Sequence, residues 1–284
     1  MIRQITILGT GTMGRGIAYL SAIAGFDTVL FDVDQAVLDT AKAAIDSTLR
    51  KGVEKGKVEE SVARDAIARV QLIPELEPAV SGADLIIEAV PESYELKTDL
   101  FAQADLFCGP DTILASNTSS ISITKLASNV ERRDCFIGMH FFNPPHVMKL
   151  LEIVRGERTS DETVAQVREI AERMGKTPIV VRDSPGFATS RLGVAIGLEA
   201  IRMLEEGVAS AEDIDRAMEL GYNHPMGPLR LTDLVGLDVR LGIAEYLAST
   251  LGPRFEPPQL LRDLVSQGKL GRKTGEGFYR WPAE

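Results

Sequence analysis

Cysteine is nearly absent. Cys108 and Cys135 are the only two in 284 residues. They fit no metal spacing and no disulfide framework, so no metal is expected and a reducing cytoplasm is the expected compartment. Tryptophan occurs once and histidine three times, which leaves few imidazoles for acid–base work. No apolar run approaches the ~18 residues of a membrane span. Arg3 is followed by Ile5-Thr6-Ile7-Leu8, which enters a glycine-rich turn at once, so no secretory signal is read there. Positive charge is also short. The 31 Lys and Arg against 41 Asp and Glu leave a net charge of −10. That balance excludes general binding to nucleic acid or to an anionic membrane. Internal repeats and low-complexity stretches are missing too, which excludes fibrous and disordered classes.

What is present is an alternation. Short apolar runs occur at Ile5 to Leu8, Thr28 to Asp32, Val70 to Ile73, Leu85 to Val90 and Thr112 to Asn117. Further runs follow at Phe136 to Phe141, Leu150 to Val154 and Pro178 to Val181. They are apolar on both faces, as the strands of a buried parallel sheet are. Segments with helical spacing lie between them, such as Met13 to Ala24 and Asp34 to Gly52. The pattern predicts α/β architecture: an N-terminal Rossmann-type, doubly wound, mostly parallel sheet. It stops near Asp183-Ser184-Pro185-Gly186. Beyond it no strand is evident, and Phe187 to Glu206 reads as one long helix closed by Gly207. The expected organisation is a domain over 1–183 and an all-helical domain over 184–284.

Gly9-Thr10-Gly11-Thr12-Met13-Gly14 is a G-x-G-x-x-G between a strand and a helix, the context of a dinucleotide fingerprint. Glycines there let the backbone approach a pyrophosphate, and the helix start offers free N–H groups. Asp32 ends the next strand 18 residues after Gly14, near the spacing of the acid that holds an adenosine ribose. A carboxylate there accepts from the 2′-hydroxyl and repels a 2′-phosphate, and no arginine follows, which favours NAD over NADP. The plainer alternative is a tight turn with a helix-capping acid nearby. A second glycine-rich segment, Gly271 to Gly277, lacks the P-loop glycine before its lysine. It reads instead as a tail that lays Phe278, Tyr279 and Trp281 on the body.

Alcohol oxidation with NAD also needs a base for the hydroxyl proton, and histidine suits neutral pH. His140 ends the run Phe136 to Phe141, and open α/β sheets bind ligands at the carboxyl ends of their strands. Glu152 interrupts Leu150 to Val154, and a carboxylate inside a buried strand is costly unless paired. A His140–Glu152 pair would resolve that cost and orient the imidazole. The alternative is an edge-strand glutamate facing water and a histidine that only closes a strand.

Several motifs occur together and in order: Ser116-Asn117-Thr118-Ser119-Ser120, His140-Phe141-Phe142-Asn143-Pro144-Pro145 with Glu152, Ser184-Pro185-Gly186-Phe187, Met226-Gly227-Pro228 and Lys273 to Tyr279. With them the whole chain resembles the L-3-hydroxyacyl-CoA dehydrogenases, and among these the bacterial 3-hydroxybutyryl-CoA dehydrogenases. The resemblance implies NAD-linked interconversion of 3-hydroxyacyl-CoA and 3-oxoacyl-CoA, and a homodimer formed by the helical C-terminal domain. It implies His140 as general base, Glu152 as its orienting partner, Ser119 as a substrate hydrogen-bonding residue and Asn117 beside the nicotinamide. Glu92, Lys97 and Lys273 match positions that line the cofactor. One position departs: where relatives carry asparagine three residues after the Phe of Pro-Gly-Phe, this chain has Ser190. A water held by Ser190 is one expectation, and a bond back to the Gly186 carbonyl is the other.

Lys42 to Lys57 runs against the overall charge, with five cations against two acids. A solvated helix face accounts for it without function. The resemblance implies coenzyme A contacts there, at Thr48 and Lys55. Two rival functions share this scaffold: an NAD dehydrogenase of free hydroxy or sugar acids, and a non-catalytic dinucleotide-binding protein of the crystallin kind.

Overall fold

The computed structural model describes residues 2–282. The chain forms two compact units, Met1–Asp183 and Ser184–Glu284. The first unit runs β1 (Gln4–Leu8), α1 (Thr12–Ile23), β2 (Asp27–Phe31), α2 (Gln35–Glu54), α3 (Glu60–Ala68), β3 (Val70–Ile73) and α4 (Leu76–Val80). It continues with β4 (Leu85–Glu88), α5 (Tyr94–Phe107), β5 (Ile113–Ser116), α6 (Ile123–Leu126), β6 (Phe136–Phe141), β7 (Leu150–Arg155), α7 (Asp161–Arg173) and β8 (Thr177–Arg182).

The eight strands form one sheet in the order β3-β2-β1-β4-β5-β6-β7-β8. Ladders are parallel from β3 to β6. The order reverses between β1 and β4, which opens a crevice beyond their carboxyl ends. The central strands are buried on both faces because helices cover both sides. β7 is the exception that makes the sheet mostly rather than wholly parallel, as expected: it lies antiparallel to β6, and β8 is then parallel to β7. Every residue of β8 is exposed or half-buried, as suits an edge strand.

Helix ends follow local chemistry. Asp34 accepts from Ala36 N–H to open α2, and Ser93 and Ser160 cap α5 and α7 in the same manner. α1 differs, because its cap position is Gly11 and no side chain caps it. Its first N–H groups therefore stay available to a ligand.

The second unit is helical: α8 (Thr189–Glu205), α9 (Ala211–Gly221), α10 (Pro228–Val235), α11 (Leu237–Leu251) and α12 (Gln259–Ser266). Its core gathers Val194, Leu198, Ile201, Leu229, Ala244 and Leu247. The long helix starts later than the sequence implies. Gly186 and Phe187 have φ of +73° and +48°, so the chain turns there and α8 begins at Thr189. The tail is held as its aromatics imply. Asp233, 1% exposed, accepts from Phe278 N–H, Tyr279 N–H and Trp281 Nε1, and Tyr279 Oη donates to buried Asp215. Burial and that carboxylate push the Tyr279 phenol far up. Among the described residues no helix is long and apolar enough to cross a membrane.

Candidate active site

The dinucleotide crevice is built by β1, β2 and β4. A cavity of about 570 Å³ is lined by Gly9, Thr10, Gly11, Thr12, Met13, Asp32 and Val90, among others. Two glycines are required by space. Gly9 has φ +99°, and a Cβ on it would lie 2.9 Å from the Ala89 carbonyl oxygen. A Cβ on Gly14 would lie 1.9 Å from the Gly9 carbonyl oxygen, so the turn closes onto the helix only with glycine. Asp32 stands at the end of β2, where Thr10 N–H (3.3 Å) and Thr10 Oγ1 (2.7 Å) hold its Oδ2. The uncapped helix start, the open space beside Gly11 and an oriented carboxylate fit a dinucleotide: N–H groups for the pyrophosphate, Asp32 for the ribose.

His140 and Glu152 face each other in register across β6 and β7. Nδ1 of His140 lies 2.8 Å from Oε2 of Glu152. Glu152 has no exposed surface and His140 is 7% exposed. Directly opposed residues of an antiparallel pair project to the same side, so the reversal of β7 is what brings the two together. An ionised carboxylate only accepts, so this pairing favours the imidazole tautomer with its proton on Nδ1. The Phe142 ring packs against the imidazole with centroids 4.4 Å apart.

Asn117 follows β5, and its Oδ1 accepts from Phe141 N–H at 2.9 Å, tying that turn to the strand that carries His140. Ser119 comes next, half-buried, with its N–H donating to Glu92 Oε1 at 3.0 Å. Burial pushes the Glu92 carboxyl up, but Lys97, Thr118 and Ser119 together outweigh it and hold it below the usual range. Asn117, Ser119, Glu92 and the His140–Glu152 pair thus gather at one end of the sheet.

Lys97, which the resemblance sets along the cofactor, is 1% exposed, and its ammonium lies between Glu88 and Glu92. Glu88, also fully buried, had a legible signal: it is an acid in the apolar run Leu85 to Val90, the same argument that singled out Glu152.

Thr48 lies in α2 and lines a cavity of about 200 Å³ with Arg15, Tyr19, Pro145 and His146. Its hydroxyl donates to the Ala44 carbonyl of its own helix. Lys55 is exposed just past the end of α2 and is not part of that lining. Near His146 the cations are Lys176 and Lys57, which with burial hold that imidazole below its ordinary value. In the second unit, Ser190 is the second residue of α8 rather than one turn inside it. The Gly186 carbonyl already accepts from Arg191 N–H at 2.8 Å. Lys273 Nζ pairs with both carboxylate oxygens of Asp238 at 2.6 Å. Arg240 of α11 was not singled out in the sequence. It is buried against Gly193 of α8, and burial lowers its pKa.

Two family models divide the chain. The 3-hydroxyacyl-CoA dehydrogenase NAD binding domain matches residues 4–184, and the C-terminal domain of the same family matches residues 186–281. The chain belongs to the 3-hydroxyacyl-CoA dehydrogenase family. It is similar to a protein of Deinococcus radiodurans named "Probable 3-hydroxybutyryl-CoA dehydrogenase", with 46% identity over 97% of this chain and 99% of the relative. A 3-hydroxybutyryl-CoA dehydrogenase of Clostridioides difficile is 43% identical over 97% of this chain and 98% of its own. The crystal structure of (S)-3-hydroxybutyryl-CoA dehydrogenase from Ralstonia eutropha superposes with a TM-score of 0.96, at 44% identity over 100% of both chains. The 3-hydroxyacyl-CoA dehydrogenase signature therefore spans both units. The protein is an NAD-dependent 3-hydroxyacyl-CoA dehydrogenase, and its NAD-binding domain is the one that carries the crevice.

Proposed function

We propose that the enzyme interconverts short-chain (S)-3-hydroxyacyl-CoA, with 3-hydroxybutyryl-CoA as its main substrate, and the corresponding 3-oxoacyl-CoA. The observation that carries the mechanism is the buried His140–Glu152 pair, in register and 2.8 Å apart. His140 Nε2 takes the hydroxyl proton, and Glu152 holds the ring and stabilises the imidazolium that forms. Bound NAD supplies the hydride acceptor. In the reverse direction the same imidazolium returns the proton. A positioned base of this kind contributes roughly 10²- to 10⁴-fold. Ser119 and Asn117 position the substrate oxygen and the reacting carbon. Ser190 is proposed to hold a water where relatives use an asparagine amide.

Coenzyme A is assigned to the face of α2. Thr48 lines a cavity there, and Lys55 is two turns further on, where a cation suits the helix C-terminus. Lys273 is assigned to the cofactor, exchanging its Asp238 partner on binding. The enzyme is proposed to act as a cytoplasmic homodimer through the second unit. That unit exposes Leu192, Ile196, Leu234 and Val239 on α8, α10 and α11, an apolar surface suited to a second copy.

The test is steady-state turnover of acetoacetyl-CoA and longer 3-oxoacyl-CoAs with NADH and with NADPH, beside free acetoacetate. Highest kcat/KM for acetoacetyl-CoA with NADH is expected. Equal or better turnover of the free acid would favour the hydroxy-acid reading, and longer esters outperforming acetoacetyl-CoA would overturn the chain length.

A further inference from the structure

Arg240 of α11 carries a buried charge that nothing in its own unit uses. It is 8% exposed, and its Nε is sealed from water with no hydrogen-bond partner. Burial alone lowers its pKa, because no carboxylate stands close enough to offset the lost hydration. A buried cation without a counter-charge costs stability, and an apolar side chain of similar size would cost less. Packing therefore does not account for arginine at this position.

The guanidinium lies against the first turns of α8. A Cβ on Gly193 would sit 3.1 Å from Nη1 and 3.7 Å from Nη2, so a side chain there would push the group away. In a helix the Cβ direction leans toward the N-terminus, and residues three apart share a face. From Gly193 both rules lead to Ser190, half-buried at the start of α8. Ser190 is also the position where this chain departs from its relatives. A guanidinium holds five donors in a fixed fork, and one water can join it to a hydroxyl a turn away. Two unusual features of the second unit, a short hydroxyl and an unpaired buried cation, thus meet on one face of α8.

We propose that Arg240 is a positioning residue: through a shared water it aims the Ser190 hydroxyl at the reacting oxygen of the 3-oxoacyl-CoA, and so replaces the donor that relatives take from an asparagine amide. This rests on the proposed role of Ser190. The water, polarised by the cation, strengthens a donor aimed at the ketone oxygen as that oxygen gains negative charge during reduction. A donor fixed in advance needs no reorganisation at that moment, which is the return for holding the charge in a dry place. Gly193 belongs to the same device, because its missing side chain leaves the guanidinium room beside Ser190.

The test is NADH-dependent reduction of acetoacetyl-CoA, run beside urea unfolding. Arg240→Met should lower kcat about tenfold and leave both KM values within about threefold, as when an interaction acts on the transition state. Its unfolding midpoint should stay level or rise, because an unpaired buried cation is gone. Ser190→Ala combined with Arg240→Met should cost no more than about twofold beyond the worse single variant, since both act through one water. Ser190→Asn in the Arg240→Met background should restore kcat to within about threefold of wild type, because an amide donates directly. If Arg240→Met does not fold, Gly193→Ala carries the question. Its Cβ displaces the guanidinium while alanine favours the helix, so kcat should fall about threefold or more with no drop in the midpoint. An Arg240→Met variant with kcat within about twofold of wild type would overturn the proposal. So would fully additive losses, or a midpoint and kcat that fall together without rescue by asparagine, the sign of a packing residue. Wild-type protein that does not turn over acetoacetyl-CoA would instead defeat the functional reading, and this proposal with it.

Discussion

Replacing Glu152 by glutamine separates geometry from charge at the proposed base. The amide oxygen can still accept from His140 Nδ1–H at the observed 2.8 Å, and glutamine has nearly the same shape in a strand with no exposed surface there. What disappears is the counter-charge for the imidazolium. A buried hydrogen bond to a charged group contributes about 1.5–3 kcal/mol, and a neutral one about 0.5–1.5. The difference, about 1–2 kcal/mol, acts only where the ring has gained its proton, so it falls on the transition state. At about 1.4 kcal/mol per factor of ten, kcat should drop roughly 5- to 30-fold. His140→Ala removes the proton acceptor itself and should cost about 10²–10⁴ in kcat. The NADH Kd should hold in both variants, because neither residue lines the dinucleotide crevice. The assay is NADH-dependent reduction of acetoacetyl-CoA, with NADH binding read by fluorescence. A Glu152→Gln variant with unchanged kcat would refute the counter-charge argument. A His140→Ala variant within about threefold of wild type would refute the base.

Asp32→Ala should raise the KM for NAD well above its effect on NADP, since one carboxylate both holds ribose hydroxyls and repels phosphate; equal use of both cofactors by the wild type would contradict this. Leu192→Glu, placed on the exposed face of α8, should shift the protein from dimer to monomer in light scattering, and an unchanged mass would locate the interface elsewhere. Asp233→Asn leaves one acceptor for three donors of the tail, and should lower stability by about 2–4 kcal/mol, seen in urea unfolding with Trp281 as the probe. Glu88 gives a pH dependence of definite sign. Its folded carboxyl is raised by burial, so as pH climbs past the ordinary carboxylate range the unfolded chain releases that proton first and is favoured. Glu88→Gln removes this slope, so the stability of the variant relative to wild type should increase from about pH 5 to pH 7; a flat difference would disprove the raised carboxyl.

The strands were legible because a sheet covered by helices needs runs that are apolar on both faces, and each run fell within a few residues of a strand. The direction of β7 was not taken from the sequence, although a signal existed. Only eight residues separate Phe141 from Leu150, too few for the crossover that a parallel neighbour needs. The start of α8 was misplaced because proline at an early helical position is common, while the positive φ of Phe187 leaves no compositional trace. At the site, Glu152 was found by the cost of burying an acid, and the same rule applied to Glu88 would have found the network around Lys97. Resemblance gave Lys97 its identity without its environment. Exposure depends on which acids surround a side chain, and those come from β4 and the loop after it.

The reversed strand has a further consequence for how the molecule assembles. His140 and Glu152 are 12 residues apart in sequence and meet through one local antiparallel pair. The crevice wall instead joins Leu8 to Ala89, about 80 residues apart, at the end of one parallel ladder. Closing the shorter loop costs about 1.7 kcal/mol less chain entropy, since the cost scales with the logarithm of loop length. The His140–Glu152 pair is therefore a low-contact-order element, able to form before the cofactor fold is complete. The proposed acid–base pair and the nucleotide crevice are separable along the chain, and one can vary in sequence without re-registering the other.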